Sequence, residues 1–110
     1  MNQRLDCYRI LVDVAKAMPS LIANLPKGEG YLIVQLKRAI ASAILNLAEG
    51  NGRYSTNDRN RFFNISMGSI SEVEGGVEIA SAYGYFDIDI SQKLLNDLRK
   101  AYNMIRKLKR

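Results

Sequence analysis

The chain has 110 residues, of which 47% are hydrophobic and 25% are charged, a balance typical of a single soluble domain over residues 1–110. It has no histidine and only one cysteine, Cys7, which excludes an internal disulfide and histidine-based catalysis. Neither a signal-peptide core nor a long uninterrupted apolar run is apparent, so we expect a cytoplasmic protein with no membrane partner.

The net charge is +5, and it is distributed unevenly along the chain. Residues 99–110 contain six basic and no acidic side chains, whereas residues 68–92 contain five acidic and no basic side chains. Such a lopsided distribution indicates a docking surface rather than a uniform coat of solubilising charge.

The first predicted helix extends over residues 2–25, where apolar residues recur at helical spacing. Pro19 falls inside this segment. Because proline removes a backbone hydrogen bond, we expect a kink or a break between Ala15 and Met18. A cluster of proline and glycine in residues 26–30 ends the helix.

The second predicted helix covers residues 31–49, and Gly50 is expected to close it in the left-handed conformation. One face of this helix carries a polar stripe, whose members recur every three or four positions. The stripe consists of Gln35, Arg38, Ser42, Asn46 and Glu49. Apolar residues cover most of the remaining circumference, so the stripe is expected at a helix junction or a subunit boundary.

Capping residues mark the third and fourth predicted helices. Ser55 and Asp58 fit a capping box at the start of a helix that continues to about residue 83. After a turn, Asp89 or Ser91 can cap a fourth helix that runs to the basic C-terminus. No strand pattern competes, and four amphipathic segments with short connectors predict an all-α, antiparallel up-down four-helix bundle.

The third helix contains an unusual set of small residues. Gly68, Gly75 and Ala82 recur every seven positions, a spacing that lets another helix approach closely. Gly75 and Gly76 together lie in mid-helix, where each glycine costs about 1 kcal/mol relative to alanine. The pair therefore predicts either a kink or a tight contact.

No motif for catalysis, a cofactor or a metal is apparent. Glu74 and Glu78 lie one helical turn apart, but no histidine or third ligand completes a metal site. Cys7 has no base partner and is expected to pack as a small apolar residue. We therefore expect a protein that is not an enzyme and needs no cofactor.

One block of about 40 residues carries a specific motif. It reads Gln-Leu-x-Arg-Ala, then a serine, then Asn-x-Ala-Glu-Gly-x-Gly-Arg, and later Gly-Ser before an acid. The block resembles the signature of bacterial four-helix-bundle proteins encoded in intervening sequences of large-subunit ribosomal RNA genes. The matching positions are Gln35, Leu36, Arg38, Ala39, Ser42, Asn46, Ala48, Glu49, Gly50, Gly52, Arg53, Gly68, Ser69 and Glu72.

The resemblance implies a four-helix bundle that assembles into a ring of identical subunits, a homopentamer. It also implies kinship with the accessory proteins of diversity-generating retroelements, which are basic pentamers that bind nucleic acid and a reverse transcriptase. Gly75 and Gly76 depart from the family pattern, which usually has good helix formers at these positions.

The polar stripe has two interpretations. In the first it is structural: Arg38, Glu49 and Arg53 exchange charge-assisted hydrogen bonds, and Asn46 ties the second helix to the loop that follows. In the second, Arg38 or Arg53 contacts RNA. The residues assigned to the structural network are Gln35, Ser42, Asn46 and Glu49.

The basic residues favour electrostatic binding of RNA or DNA with weak sequence specificity, by an oligomeric accessory protein. The predicted contacts are Lys37, Arg38, Arg53, Arg59, Arg61, Arg99, Lys100, Arg106, Lys107, Lys109 and Arg110. Tyrosines are further candidates because they can stack on bases, although packing is the expectation for most of them.

Three alternatives to this interpretation stay open. The basic C-terminus can be a solvated helix end whose charge complements the helix dipole. The protein can be an adaptor that docks a reverse transcriptase or another acidic partner. It can also be a structural passenger without binding activity.

Overall fold

Four α-helices account for most of the chain in the computed structural model, which describes residues 2–109 except the side chain of Gln3. The helices are α1 (Gln3–Ile22), α2 (Gly30–Asn51), α3 (Thr56–Ala82) and α4 (Ile88–Leu108), and a short 3₁₀ turn at Lys27–Glu29 precedes α2. No strand forms within the described residues. The predicted all-α class is confirmed.

The helices pack as an antiparallel up-down bundle, as predicted. In the most extensive pairing, Gly50 near the end of α2 lies beside Phe63 near the start of α3. Leu36 near the start of α2 lies beside Gly76 near the end of α3. Helix α4 packs against α1 and α3, and α1 also contacts α2. The start of α1, the α2–α3 loop and the end of α4 therefore share one end of a molecule 44 Å long.

One apolar core lies between the four helices. Each helix presents apolar residues every three or four positions on its inner side, and this pattern is why the segments fold as helices against one another. Fully buried members include Leu11 of α1, Leu47 of α2, Phe63 and Ile70 of α3, and Leu98 of α4. Burying a side chain of this size contributes about 1.5–3 kcal/mol relative to leaving it exposed.

Side-chain oxygens cap α3 and α4 at their first turns. Ser55 Oγ accepts a hydrogen bond from the backbone N–H of Asp58 at 3.0 Å, as the capping pattern predicts. Asp87 precedes α4, and its Oδ2 accepts from the backbone N–H of Asp89 at 3.0 Å. The prediction of a cap at Asp89 or Ser91 is wrong, because the chain returns to helical geometry sooner than its turn-forming residues indicated.

Two residues that the sequence marks as helix breakers lie inside helices. Helix α1 continues past Pro19, and the backbone N–H of Ala23 donates to the Pro19 carbonyl at 3.0 Å, so no break forms there, while the alternative of a kink stays a prediction. Gly50 is helical and lies within α2, so its predicted left-handed conformation is wrong. Among the described glycines only Gly84 has a positive φ, of 80°, in the turn after α3.

The Gly75–Gly76 pair lies within an uninterrupted α3. Gly76 is buried, and a Cβ atom there would stand 2.6 Å from Leu36 Cδ2. Gly75 is exposed, and a Cβ atom there would meet nothing within 4 Å. Gly76 therefore permits the tight contact between α2 and α3 that was one of the two expectations for this pair.

Candidate nucleic-acid interface

Three segments of the chain bring basic residues to one end of the bundle, which we call the basic end. They are the start of α1, the α2–α3 loop with the start of α3, and the end of α4. Their basic residues are Arg4, Arg9, Arg53, Arg59, Arg61, Arg106, Lys107 and Lys109, and the same segments carry the acidic residues Asp6 and Asp58. The opposite end carries Lys27 and Lys93 together with Glu29, Glu78, Asp87 and Asp89. The molecule is therefore polarised along its length.

The last turn of α4 supplies exposed cations to the basic end. Arg106 and Lys107 are exposed, and Lys109 follows as the residue that ends the helix. Within residues 2–109, none of the three forms an ion pair with a carboxylate. Their charges also lie at the negative end of the α4 dipole. Arg110, which was predicted to join them, lies outside the described residues.

Two further predicted contacts lie away from this end. Lys37 is exposed on α2, and Lys100 is exposed on α4. Neither forms an ion pair within the described residues. Arg4 and Arg9 of α1 were not among the predicted contacts, because they stand outside the basic run of the C-terminus, although the up-down helix order places the start of α1 at the same end as the end of α4.

The Phe62 ring lies against two arginines beside the α2–α3 loop. Cζ of Arg53 is 4.8 Å from the ring centroid, and Cζ of Arg61 is 4.4 Å from it. Arg53 also pairs with Glu49 at 2.8 Å and with Asp58 at 3.5 Å, while Arg61 pairs with Asp58 at 3.5 Å. The Arg53 and Arg61 side chains remain 40% and 60% exposed, so anchored guanidinium groups still face solvent.

Arg59 differs from its basic neighbours because much of its side chain is covered. Its Nε atom is buried and has no hydrogen-bond partner within the described residues. An unsatisfied buried donor costs about 1–3 kcal/mol. Its backbone oxygen lies close to Gly50, where α2 and α3 approach each other. The geometry thus places Arg59 in the packing of the basic end as well as on its surface.

Arg99 is engaged in an ion pair between two helices at the surface of the bundle. Its Nη2 donates to Glu74 Oε1 at 2.6 Å and its Nε donates to Glu74 Oε2 at 3.2 Å, a bidentate pair between α4 and α3. The guanidinium also lies 4.2 Å from the ring centroid of Tyr102. The Glu74 side chain is only 12% exposed. These contacts favour a structural role for Arg99 over the predicted contact with nucleic acid.

The middle of the polar stripe joins α2 to α3. The hydroxyls of Ser42 and Ser69 are 2.7 Å apart, and Asn46 Nδ2 donates to the carbonyl and the hydroxyl of Ser42 at 2.8 and 3.1 Å. Nearby, the buried Ser66 hydroxyl donates to the Ala43 carbonyl at 2.6 Å. Asn46 therefore binds within the helix rather than to the following loop, which corrects that expectation.

The two ends of the stripe are separate from each other. Arg38 Nη2 donates to Gln35 Oε1 at 3.1 Å and lies 3.5 Å from Glu72 Oε2. The pair between Glu49 and Arg53 forms as expected, but Arg38 does not join it. Arg38 and Glu49 are three helical turns apart, roughly 16 Å at 1.5 Å per residue, so a direct contact between them is out of reach.

An apolar surface covers the outer sides of α2 and α3, and we call it the outer face. Its large exposed members are Tyr31, Val34, Leu45, Ile65, Ile79 and Tyr83. A groove of about 210 Å³ between the helices is lined by Tyr31, Gln35, Glu72, Gly75 and Ile79, among others. Large contiguous apolar patches are typical of sites of protein–protein or membrane interaction.

Helix α2 is also apolar enough to be tested as a membrane span. By length and composition alone, the segment Lys27–Asn51 could cross a membrane, because an 18-residue window within it has a mean hydropathy of 1.3. Within the bundle, 33% of that 18-residue window is buried. The core helix of a soluble bundle passes the same test, and the low burial reflects the outer face.

The described residues contain no group of three or more acidic, cysteine or histidine side chains able to hold a metal ion. Cys7 is fully buried, and its Sγ donates weakly to the Arg4 carbonyl at 3.4 Å. Burial raises the pKa of the Cys7 thiol from 9.0 to about 11. The thiol therefore stays protonated at neutral pH and packs as an apolar group.

These features define a small four-helix-bundle protein with a charge-polarised surface and an apolar outer face. A family model described as 23S rRNA-intervening sequence protein matches residues 3–107, and the chain belongs to that family. The membership confirms the resemblance carried by the motif of α2 and α3. A search of curated proteins found no match.

Proposed function

We propose that this protein is a non-enzymatic, oligomeric accessory protein that binds RNA or DNA through the basic end of the bundle. The observation that carries the proposal is topological: the antiparallel helix order brings basic residues from three distant segments of the chain to one end of the bundle. A surface that neutralises several phosphates releases their counterions, which drives binding. The family description, 23S rRNA-intervening sequence protein, associates these proteins with an RNA sequence, and this association is the reason to test RNA first.

Backbone phosphate is the expected target rather than base sequence. Phosphate contacts fix a protein on a nucleic acid without reading its sequence, and long basic side chains in an exposed helix end suit that role. Arg106, Lys107 and Lys109 provide such side chains at the end of α4. Non-specific binding of this type has a dissociation constant of roughly 10⁻⁴ to 10⁻⁶ M at physiological salt.

Self-association through the outer face is the second part of the proposal. A second copy suits this surface because exposed apolar residues there would otherwise remain in water. The ring of five subunits implied by the family resemblance needs two complementary faces on each subunit, of which the outer face would supply one, and it multiplies weak contacts through effective concentration. Several basic ends would then act on one nucleic acid.

The proposal is tested with two double charge reversals that change the net charge equally. The test variant carries Arg106→Glu and Lys107→Glu at the basic end, and the control carries Lys16→Glu and Lys27→Glu, both exposed and remote from it. Fluorescence anisotropy measures binding to a mixed-sequence RNA as a function of salt. We expect the test variant to bind more weakly, with a log–log salt slope smaller by about 1.4–1.8, corresponding to two lost phosphates.

The control variant should keep most of the affinity and nearly all of the slope. Equal losses in the two variants would mean that net charge alone matters and would contradict a localised site. Wild-type protein that bound no nucleic acid would instead favour an adaptor for an acidic protein, such as a reverse transcriptase, or a structural passenger. Kinship with retroelement accessory proteins stays a prediction.

A further inference from the structure

Tyr54 is the most exposed large apolar side chain in the described part of the protein. Its exposure is 101%, compared with 80% for Tyr31 and 63% for Tyr83. The latter two lie at the opposite end of the bundle, whereas Tyr54 lies in the α2–α3 loop at the basic end. An aromatic ring held in water among basic groups is positioned to stack on a ligand that is both planar and negatively charged.

The loop presents this ring from a fixed backbone. The backbone N–H groups of Gly52 and Arg53 each donate back into the last turn of α2 at 3.2 Å, to Glu49 and Gly50 respectively. On the other side, Ser55 caps α3. Tyr54 is thus held between two anchored residues, so binding would order little additional backbone.

Further planar side chains lie beside the same loop. Arg53 is oriented by Glu49 at 2.8 Å and lies against the Phe62 ring, which Arg61 also contacts. Guanidinium planes and aromatic rings are the two kinds of side chain on which nucleobases stack, and every base offers a π-face. We call Tyr54, together with Arg53, Phe62 and Arg61 beside the same loop, the stacking cluster.

We propose that the stacking cluster binds unpaired nucleobases, so that the protein prefers single-stranded over double-stranded nucleic acid. This inference rests on the proposed function, because the phosphates of the strand are held by the basic residues of α4 at the same end of the bundle. In a duplex the bases are stacked on one another and only phosphates and groove edges face a protein, so a duplex engages the cations but not the Tyr54 ring. A single strand engages both.

The test compares Tyr54→Ala and Tyr54→Phe with wild-type protein. Anisotropy is measured with single-stranded RNA, single-stranded DNA and a duplex of the same length and mixed sequence. Stacking on one base corresponds to a loss of roughly 5- to 150-fold on alanine substitution. We expect Tyr54→Ala to show such a loss for both single strands and an unchanged affinity for the duplex, while Tyr54→Phe stays close to wild type.

Tyr31→Ala serves as the matched control, because Tyr31 is an exposed tyrosine at the other end of the bundle. Its molar mass in solution is checked so that any change in assembly is recognised, and its preference for single strands should remain. A loss of preference equal to that of Tyr54→Ala would overturn the assignment to the loop.

Other outcomes separate this inference from the proposed function. Salt-dependent binding of single strands and duplex with equal affinity, unaffected by Tyr54→Ala, would overturn the stacking cluster and leave phosphate binding intact. An equal loss for single strands and duplex in Tyr54→Ala would also overturn it, because a ring that stacks on bases does not contact a closed duplex. Wild-type protein that bound neither ligand would overturn both proposals.

Discussion

Phe63 of α3 lies so close to Gly50 of α2 that a Cβ atom on Gly50 would stand 2.7 Å from Cε1 of the ring. The same atom would stand 3.3 Å from the backbone oxygen of Arg59. Phe63 is fully buried and cannot easily move away. Gly50 therefore sets the distance between α2 and α3 where the chain turns into the loop that carries Tyr54.

The first prediction concerns the two glycines of the Glu-Gly-x-Gly-Arg segment. Gly50→Ala overpacks the junction and is expected to lower the free energy of unfolding by about 1–3 kcal/mol. Gly52→Ala is the control, since its Cβ would meet only Glu49 and Ala48 carbonyls at 3.6 and 3.9 Å. Thermal unfolding followed by circular dichroism measures both. Equal melting temperatures of the two variants would contradict the role given to Gly50.

The second prediction separates the adjacent glycines of α3. Gly75→Ala should stabilise the helix by about 1 kcal/mol, because alanine is the better helix former and its Cβ meets nothing within 4 Å. Gly76→Ala should destabilise the protein, because its Cβ would stand 2.6 Å from Cδ2 of the buried Leu36. Urea unfolding gives both values. If Gly75→Ala proved destabilising, a second copy packed at Gly75 would be indicated.

These glycines show where prediction from sequence succeeded and where it stopped. Helical periodicity located all four helices, and the Ser55 cap depends on residues four positions apart or fewer. The reason for Gly50, by contrast, is a ring thirteen positions further along the chain. The rule that glycine often ends a helix predicted a left-handed conformation for Gly50. Glycine is instead required there because the ring of Phe63 leaves no room for a Cβ atom.

The candidate site, too, could be predicted from the sequence only in part. The basic run at the C-terminus is visible in the sequence, and its position at the end of α4 follows from the helix pattern. The predicted up-down order also implies that Arg4 lies at the same end as this run, but Arg4 stands outside any local run of basic residues and was missed. That Arg99 faces Glu74 depends on how α3 and α4 are rotated, which leaves no local signal, so Arg99 was interpreted as a free charge.

The third prediction concerns two neighbouring basic residues of α4, Arg99 and Lys100. Arg99→Ala strands the largely buried Glu74 carboxylate and should lower stability by about 1–3 kcal/mol, towards the smaller value because the Arg99 side chain is 50% exposed. Lys100→Ala, at an exposed position, should change stability by less than about 0.5 kcal/mol. Urea unfolding and RNA anisotropy are measured on both. A larger loss of stability in Lys100→Ala would contradict this assignment.

The fourth prediction follows from the pKa of the Cys7 thiol, which burial raises from 9.0 to about 11. The unfolded chain releases this proton at lower pH than the folded protein, so stability is lost as pH rises from about 9 to 11. The loss from this group amounts to about 2–3 kcal/mol. The Cys7→Ala variant has no thiol and lacks this pH-dependent loss. The difference in unfolding free energy between wild type and Cys7→Ala should therefore shrink as the pH rises from about 9 to 11. A constant difference would contradict the burial of the thiol.

The fifth prediction is that the protein self-associates through the outer face. Sedimentation at micromolar concentration should give a mass of about five times the 12.4 kDa of one chain. Leu45→Lys should dissociate the assembly, because it places a charge on an exposed apolar position of α2 that a second copy would bury. Ile88→Lys is the control: Ile88 is 72% exposed at the start of α4, away from the outer face. Wild-type protein that sediments as a monomer, or equal dissociation of the two variants, would contradict the prediction.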